Sequence, residues 1–466
     1  MGIDLIRFGT SGWRAVISEQ FTFENVRKVA RAIGQVTREI SSGPLSGLAL
    51  GHDTRFLSQE FAAEAARVLV ADGVPVHLAP DFLPTPVLAF SIRHHHLNGG
   101  INITASHNPP EYNGIKFSTS GGAPAPRDVT DRIEALVAEA SGAAPGQRQG
   151  APDRLVPMDA YFSQLEQLVE TAPIRAAGMR VMVDSRFGTS RGWLDRFLRA
   201  QGVEVVAIHD RCDPLFGGGT PDCSGGNLQE LQAGVLKGSF HLGLATDGDA
   251  DRFGIVDAAG EIVSPNLVLA LLVDYLARRR GWREGVGRTV ATTHLIDDVA
   301  REYGFPVHET PVGFKHFNGL LASEQIFMGA EESAGMSIKG HVPEKDGILA
   351  NLLVVEMLAV EGPHLDRLIT NLFRRTGPRV SRRRDIRFDP SLRKELLART
   401  ADPPSRLAGV PVASVVTLDG VKWIREDGAW LLIRVSGTEP VVRIYAEAEN
   451  EAAIRGLLEV GSGMVP

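Results

Sequence analysis

A chain of 466 residues is long enough for about three or four domains. Its composition, 43% apolar and 23% charged, is that of a globular protein able to build sizeable cores. The net charge of −7 gives no general attraction to nucleic acid or to an anionic membrane, so any anion site must be built locally, and two cysteines, Cys212 and Cys223, exclude a disulfide scaffold.

The N-terminal MGIDLIRFGT has no apolar core of a signal peptide and no Ser or Thr at the sixth position of a myristoylation signal. No apolar run reaches the ~18 residues of a membrane span; the best candidates are broken by Asp274 and by Asn351 and Glu356. These features predict a cytoplasmic protein with no nucleic-acid or membrane partner; they leave its oligomeric state, monomer or dimer, open.

In chain order, FGTSGWR at 8–14 is a polar turn ending in Arg14, rich in hydroxyl and backbone N–H groups that suit an anion. A strand over Leu48–Gly51 then leads to a helix and to Gly73-Val-Pro-Val. The same sequence of strand, helix, glycine and strand recurs at Val181–Val183 with Gly202-Val-Glu-Val, and at Thr289–Thr292 with Gly304-Phe-Pro-Val. Each glycine sits where a helix C′ residue belongs, and the alternation predicts α/β domains with largely parallel sheets. His94, His95 and His96 read as a solvated strand or turn approach.

After each unit another strand opens into a polar loop: INITASHNPP at 101–110, LGLATDGDADR at 242–252 and FMGAEESAG at 327–335. Three related α/β domains are predicted, each with a different loop at an equivalent strand end, where open α/β sheets gather ligands. The three loops could then face one shared cleft.

The stretch at 141–153, rich in Gly, Ala, Pro and Gln, reads as a linker. RRTGPRVSRRRD at 374–385 reads as a basic, irregular, solvated connection. Beyond it a strand, an Asp427-Gly428 hairpin turn, two more strands and a closing helix predict a smaller α+β domain. The predicted boundaries are 1–150, 151–256, 257–370 and 371–466: three similar mixed α/β domains plus the C-terminal α+β domain.

The loops suggest chemistry. Asp247, Asp249 and Asp251 alternate with small residues, so an extended loop would point all three carboxylates one way, and a hard cation such as Mg²⁺ or Ca²⁺ would relieve their repulsion. An EF-hand is excluded, because its sixth and twelfth positions here hold Arg252 and Ala258. Ser106 lacks the flanking glycines of a hydrolase elbow. Carrying a phosphate beside the metal, it would act on phosphorus, with His107 or Lys116 close enough in sequence to polarise or deprotonate a hydroxyl. Glu331, Glu332 and Ser333 offer partners for sugar hydroxyls. RVSGTEPVVRIY at 434–445 offers Arg434, Arg443 and a Ser-Gly-Thr turn to a dianionic phosphate. His341 could line the third loop or sit on the surface.

Taken together, TASHNPPEYNGIKF, TDGDADRFG, GAEESAG and RVSGTEPVVRIY, with FGTSGWR before them, make the chain resemble the α-D-phosphohexomutase superfamily along almost its whole length. The resemblance implies four domains around one cleft, with Ser106 as the phosphoserine. It implies one Mg²⁺ held by Asp247, Asp249, Asp251 and the phosphate on Ser106. It places sugar hydroxyls on Glu331 and Ser333, and the substrate's other phosphate on Arg434, Ser436, Gly437, Thr438 and Arg443. Arg14, Arg252 and Lys315 join the substrate-binding set on the same ground. The Glu-Glu-Ser loop is similar to that of the phosphoglucomutase branch, with glucose 1,6-bisphosphate as intermediate and activator. Ala334 departs from the Glu-Ser-Gly-Gly of many phosphoglucomutases. The alternatives are a phosphomannomutase, a phosphoglucosamine mutase or a metal-dependent sugar-phosphate phosphatase.

Overall fold

The computed structural model of the protein describes residues 6–9, 12–139, 146, 148–401, 404–436 and 441–466. The chain divides into two compact units: one runs to Pro265 and includes Ser333–Leu365, and the other comprises Asn266–Glu332 and Asp366–Pro466.

The first unit contains two sheets of one design. In the first, Leu48–His52 lies between Val76–Leu78 and Gly99–Ile103, parallel to both, and Tyr112–Thr119 returns antiparallel to Gly99–Ile103. In the second, Arg180–Asp184 lies between Glu204–Ile208 and Leu242–Thr246, again parallel to both, with Phe253–Asp257 returning antiparallel. In the second unit Val286–Thr289 stands between Val307–Thr310 and Met328–Glu331, parallel to both. The threefold repeat predicted from sequence is therefore present. Gly73, Gly202 and Gly304, which follow the helices Ser58–Ala71, Leu194–Ala200 and Leu295–Tyr303, have φ of +80°, +78° and +74°. That left-handed conformation closes a helix and favours glycine.

The third repeat shows one displacement. Its first strand is Val286–Thr289, not Thr289–Thr292. Gly287 and Arg288 conceal it in the sequence. A Cβ on Gly287 would lie 2.7 Å from the Phe317 ring, so the strand gives up a side chain to pack an aromatic.

The central strands are buried along their length, as the parallel centre of a two-faced sheet requires. The apolar helix Gly347–Glu361 is also buried over most of its length. Among the described residues no single helix is long and apolar enough to cross a membrane.

The C-terminal sheet runs Val380–Arg387, Val441–Ala448, Trp430–Val435, Val421–Arg425, Val410–Val416, Arg406–Leu407, every neighbour antiparallel. The helix Glu451–Met464 follows, capped by Asn450, whose Oδ1 accepts the Ala453 N–H at 3.0 Å. The stretch at 374–385 is therefore not an irregular connection. It ends a helix, Leu365–Thr376, and begins an edge strand pairing with Val441–Ala448. An edge strand tolerates arginines because one side stays open to solvent, and the charges deter further pairing. The three histidines are exposed: His94 closes the helix Thr85–His94, and His95 and His96 form the expected solvated turn before the strand Gly99–Ile103. Of the expected linker, residues 141–145 and 147 lie outside the described residues, while Asp153–Arg154 adds a short parallel strand beside Val76–Leu78.

Candidate active site

Ser106 follows the strand Gly99–Ile103 at its carboxyl end and is buried. Its φ of +54° is rare for a residue with a Cβ. Thr104 Oγ1 accepts the Ser106 N–H at 2.9 Å, which helps to hold this turn. The Ser106 hydroxyl donates to Asp247 Oδ2 at 2.9 Å and lies 3.3 Å from His107 Nδ1.

Asp247, Asp249 and Asp251 follow Leu242–Thr246, the equivalent strand of the second repeat. All three are buried, and one oxygen from each lies within 4.8 Å of the others. They converge through a tight turn with Ala250 at φ +61°, not through an extended loop. Asp249 Oδ2 accepts from Lys116 Nζ at 2.5 Å and Thr85 Oγ1 at 2.6 Å. Asp251 Oδ2 accepts from Lys116 Nζ at 2.8 Å and stands 3.0 Å from Lys345 Nζ. Asp249 Oδ1 and Asp251 Oδ1 are buried with no hydrogen-bond partner among the described residues. Hard oxygens left unsatisfied in a buried triad fit a divalent cation such as Mg²⁺.

Charge is distributed unevenly here. Burial, then the neighbouring Asp251 and Asp249, push the Asp247 carboxyl well above its ordinary range. Burial alone would raise Asp251 too, but Lys116, Lys345 and Arg252 outweigh it and hold it well below. Burial opposes the Lys116 ammonium, yet Asp249 and Asp251 overcome this and raise it. Burial, with Arg252 and Arg14, drives His107 well below an ordinary histidine. A neutral imidazole thus stands beside the serine oxygen while Lys116 stays charged.

Arg14 Nη1 donates to Asn108 Oδ1 at 2.7 Å, tying the N-terminal strand Trp13–Val16 to the serine loop. Arg252 donates its N–H to Asp247 Oδ1 at 3.1 Å, with its Nε 3.9 Å from Asp251 Oδ1. Thr10 and Ser11 lie outside the described residues.

Sequence reasoning missed Lys345, Glu344, Thr85 and Arg55. The Glu-Lys-Asp run at 344–346, set just before a largely apolar helix, was the available signal for the first two. Burial raises the Glu344 carboxyl to about 7. His341, in the same segment, does not sit on the surface: it is buried, with Nε2 2.8 Å from Asp346 Oδ2.

The second unit carries most of the remaining candidates. Glu331, buried at the end of Met328–Glu331, accepts the Gly313 N–H at 3.0 Å. Glu332 accepts from Thr289 Oγ1 at 3.0 Å, and its own N–H donates to Thr292 Oγ1 at 3.1 Å. Lys315 lies in the short turn Phe314–His316 and is half-buried. Arg434 and Arg443 are direct cross-strand partners, so both guanidinium groups leave one face of the C-terminal sheet. Arg434 Nε lies 2.7 Å from Asp419 Oδ2, and Arg443 Nε 4.0 Å from Asp385 Oδ2. Ser436 donates its N–H to Val441 O at 2.9 Å. Gly437 and Thr438 lie outside the described residues. Ser333 opens the returning segment of the first unit and is half-buried. Ala334 beside it has φ +69°, which explains why glycine would suit that position.

Comparison with known proteins places this geometry. Family models described as phosphoglucomutase/phosphomannomutase match in four consecutive segments: α/β/α domain I at 5–143, domain II at 159–260, domain III at 264–376 and the C-terminal domain at 395–460. A phosphoglucomutase/phosphomannomutase of Thermococcus kodakarensis is 31% identical over 97% of each chain. A phosphoglucosamine mutase of Frankia alni is 32% identical over 96% of this chain and 95% of its own. The crystal structure of a putative phosphomannomutase from Thermus thermophilus superposes with a TM-score of 0.87 at 36% identity, covering 98% of both chains. With every segment matched in order, the chain belongs to the phosphoglucomutase/phosphomannomutase family of α-D-phosphohexomutases.

Proposed function

We propose that this phosphohexomutase is a phosphoglucomutase, interconverting glucose 1-phosphate and glucose 6-phosphate through a phosphoserine at Ser106 and a glucose 1,6-bisphosphate intermediate. One observation carries the reading: the Ser106 hydroxyl lies 2.9 Å from a carboxylate of a buried aspartate triad that retains unsatisfied oxygens. A serine so placed is suited to phosphorus chemistry rather than to acyl transfer.

Asp247, Asp249 and Asp251 would hold Mg²⁺ together with the phosphate on Ser106. When bound, the ion supplies positive charge against the phosphoryl oxygens. In the first half-reaction the free sugar hydroxyl takes the phosphoryl group: its oxygen–phosphorus bond forms and the Ser106 Oγ–phosphorus bond breaks. The net proton movement is from that hydroxyl to Ser106 Oγ. His107, neutral and 3.3 Å from Oγ, is suited to pass it. Lys116, held charged, lies against Asp249 and Asp251 and offsets negative charge near the transferring group. The bisphosphate then presents its other phosphate to Ser106 and the steps run in reverse. Meanwhile Arg434, Ser436 and Arg443, with Gly437 and Thr438, would hold whichever phosphate is not reacting. Glu331 and Ser333 would bind sugar hydroxyls, and Arg14, Arg252 and Lys315 would join the substrate contacts.

The Glu-Glu-Ser loop supports glucose as the sugar. The 32% identity to a protein named phosphoglucosamine mutase supports the second reading. A coupled assay on glucose, mannose and glucosamine 1-phosphates, with Mg²⁺ and the matching bisphosphates, decides. Glucose 1-phosphate should be fastest; a faster rate on either of the others replaces the assignment.

A further inference from the structure

We infer that Arg55 is a positioning residue for phosphoryl transfer: its guanidinium folds the Ser106 loop into its reactive shape without touching the reacting oxygen. The inference rests on the proposed role of Ser106.

Arg55 sits at the corner after the Leu48–His52 strand, and its side chain is completely buried. Every N–H of its guanidinium is used. Nη2 donates to Ser106 O at 2.8 Å and Asn108 O at 2.6 Å. Nη1 donates to Pro109 O at 2.7 Å and Tyr112 O at 2.9 Å. Nε donates to Asp53 Oδ2 at 3.0 Å. The carbonyls of a seven-residue irregular turn thus converge on one planar fork, which no single-centred cation can reproduce.

The fork is itself aimed. The Asp53 N–H donates to Ile103 O at 2.9 Å, just before the serine loop begins. Asp53 Oδ1 accepts from the Arg55 N–H at 2.9 Å and from Ser58 Oγ at 2.7 Å, which fixes the carboxylate that holds Nε. The guanidinium carbon lies 5.0 Å from the centre of the Phe216 ring, which comes from the second repeat. Thr54, between Asp53 and Arg55, donates its hydroxyl to Phe187 O at 2.8 Å, also in the second repeat. The corner therefore registers the serine loop against the body that carries the aspartate loop.

The second repeat supplies an internal comparison. Its first strand leads into Asp184-Ser185-Arg186, where Arg186 donates its N–H to Asp184 Oδ1 at 2.8 Å, the same hydrogen bond as in Asp53-Thr54-Arg55, although Arg186 is left-handed at φ +48° and Arg55 is not. There the guanidinium reaches Thr220 O at 3.0 Å. One Asp-x-Arg corner has thus been aimed at two different loops. In the first repeat its target includes the carbonyl of Ser106, a residue in the left-handed conformation. Fixing that carbonyl fixes the residue's orientation, and with it the direction of Oγ toward Asp247.

The test is Arg55→Lys in the full-length chain, with thermal midpoint, kcat and KM for glucose 1-phosphate, and the single-turnover loading of Ser106 from glucose 1,6-bisphosphate followed by intact mass. Lysine keeps the charge but cannot span the carbonyls. At a temperature where the variant is fully folded, kcat and the loading rate should both fall about 10²-fold, with KM changed by less than about threefold, as a misaimed reacting group predicts. A lower midpoint with unchanged kcat and loading rate would make Arg55 merely structural and overturn the inference. Asp53→Asn, which loosens the aim of Nε while leaving Arg55 in place, gives the same reading if Arg55→Lys does not fold: a smaller loss in kcat at unchanged KM supports the inference, and wild-type kcat overturns it. Loading is read on Ser106 itself, so the comparison with wild type stands whichever hexose 1-phosphate the enzyme prefers.

Discussion

Ser106 Oγ and Asp247 Oδ2 stand 2.9 Å apart, although 141 positions separate them in sequence. Each lies just beyond the third parallel strand of its own repeat. Two copies of one sheet thereby bring a hydroxyl and a carboxylate triad to the same buried point.

Replacing the hydroxyl isolates its chemistry. Ser106→Ala should lose mutase turnover while still folding, because only the hydroxyl's bonds to Asp247 and His107 go, worth about 1 kcal/mol each. Intact mass should find one phosphate on active wild type and none on the variant. Turnover by the alanine variant at the wild-type rate would end the phosphoserine mechanism.

Gly248 tests how closely the two loops fit. A Cβ there would lie 2.7 Å from Ser106 O and 3.1 Å from the Pro221 ring, neither of which can step aside easily. Gly248→Ala should therefore displace the serine loop, cost about 1–3 kcal/mol of stability and slow turnover at least about tenfold. Urea unfolding together with steady-state kinetics checks both, and wild-type behaviour in each would show that the loops have slack.

Asp249→Asn keeps the shape but removes one charge from the triad and from Lys116, 2.5 Å away. Mg²⁺ binding by calorimetry should weaken, most activity should go, and excess Mg²⁺ should restore part of it. In wild type EDTA should abolish turnover; an EDTA-insensitive rate would remove the metal from the mechanism.

Lys422, fully buried, gives the second unit a pH signature. Its Nζ lies 2.7 Å from His294 Nε2, 2.9 Å from Val290 O, 3.1 Å from Glu309 Oε1 and 4.3 Å from the Trp430 ring centre. Burial, then Arg288, lowers it from 10.5 to about 8, against the pull of Glu309. Below the folded value the lysine is protonated in both states. Between 8 and 10.5 the unfolded chain holds more protons than the folded one, so this group makes stability rise with pH. Lys422→Met should lose that rise, so that the wild type gains on the variant from about pH 7 to about pH 10 by at most a few kcal/mol, at ~1.4 kcal/mol per pKa unit. Parallel stability curves for the two proteins would show that the lysine titrates normally.

What could be read from the sequence was what repeats or punctuates. Gly73, Gly202 and Gly304 marked helix ends because a left-handed residue there favours glycine, and the three polar loops were visible because charge breaks an apolar strand. What escaped depended on distant packing. Val286–Thr289 looked unlike a strand because Gly287 makes room for Phe317. Val380–Arg387 looked like a connection because an edge strand carries arginines freely. Arg55 showed only the Asp-x-Arg spacing with Asp53, since its four partners in the serine loop are backbone carbonyls that any sequence could supply. The aspartates were legible as a cluster, but their partner Lys345 belongs to a segment that leaves and returns.

That return bears on how the protein is made. Ser333–Leu365 completes the first unit only after Asn266–Glu332 has been synthesised for the second. The segment delivers Lys345 to Asp251, the Gly347 N–H to Ala250 O at 3.0 Å and the Asn351 amide to Ala245 O at 2.9 Å. A nascent chain leaving the ribosome before then holds the aspartate turn without this lysine and without the buried helix Gly347–Glu361 behind it. Its early sheets can form as they emerge, since domains tend to fold from the N-terminus during synthesis. The aspartate loop, however, acquires its full support only once translation has passed Glu361, which makes its assembly a late event in biogenesis.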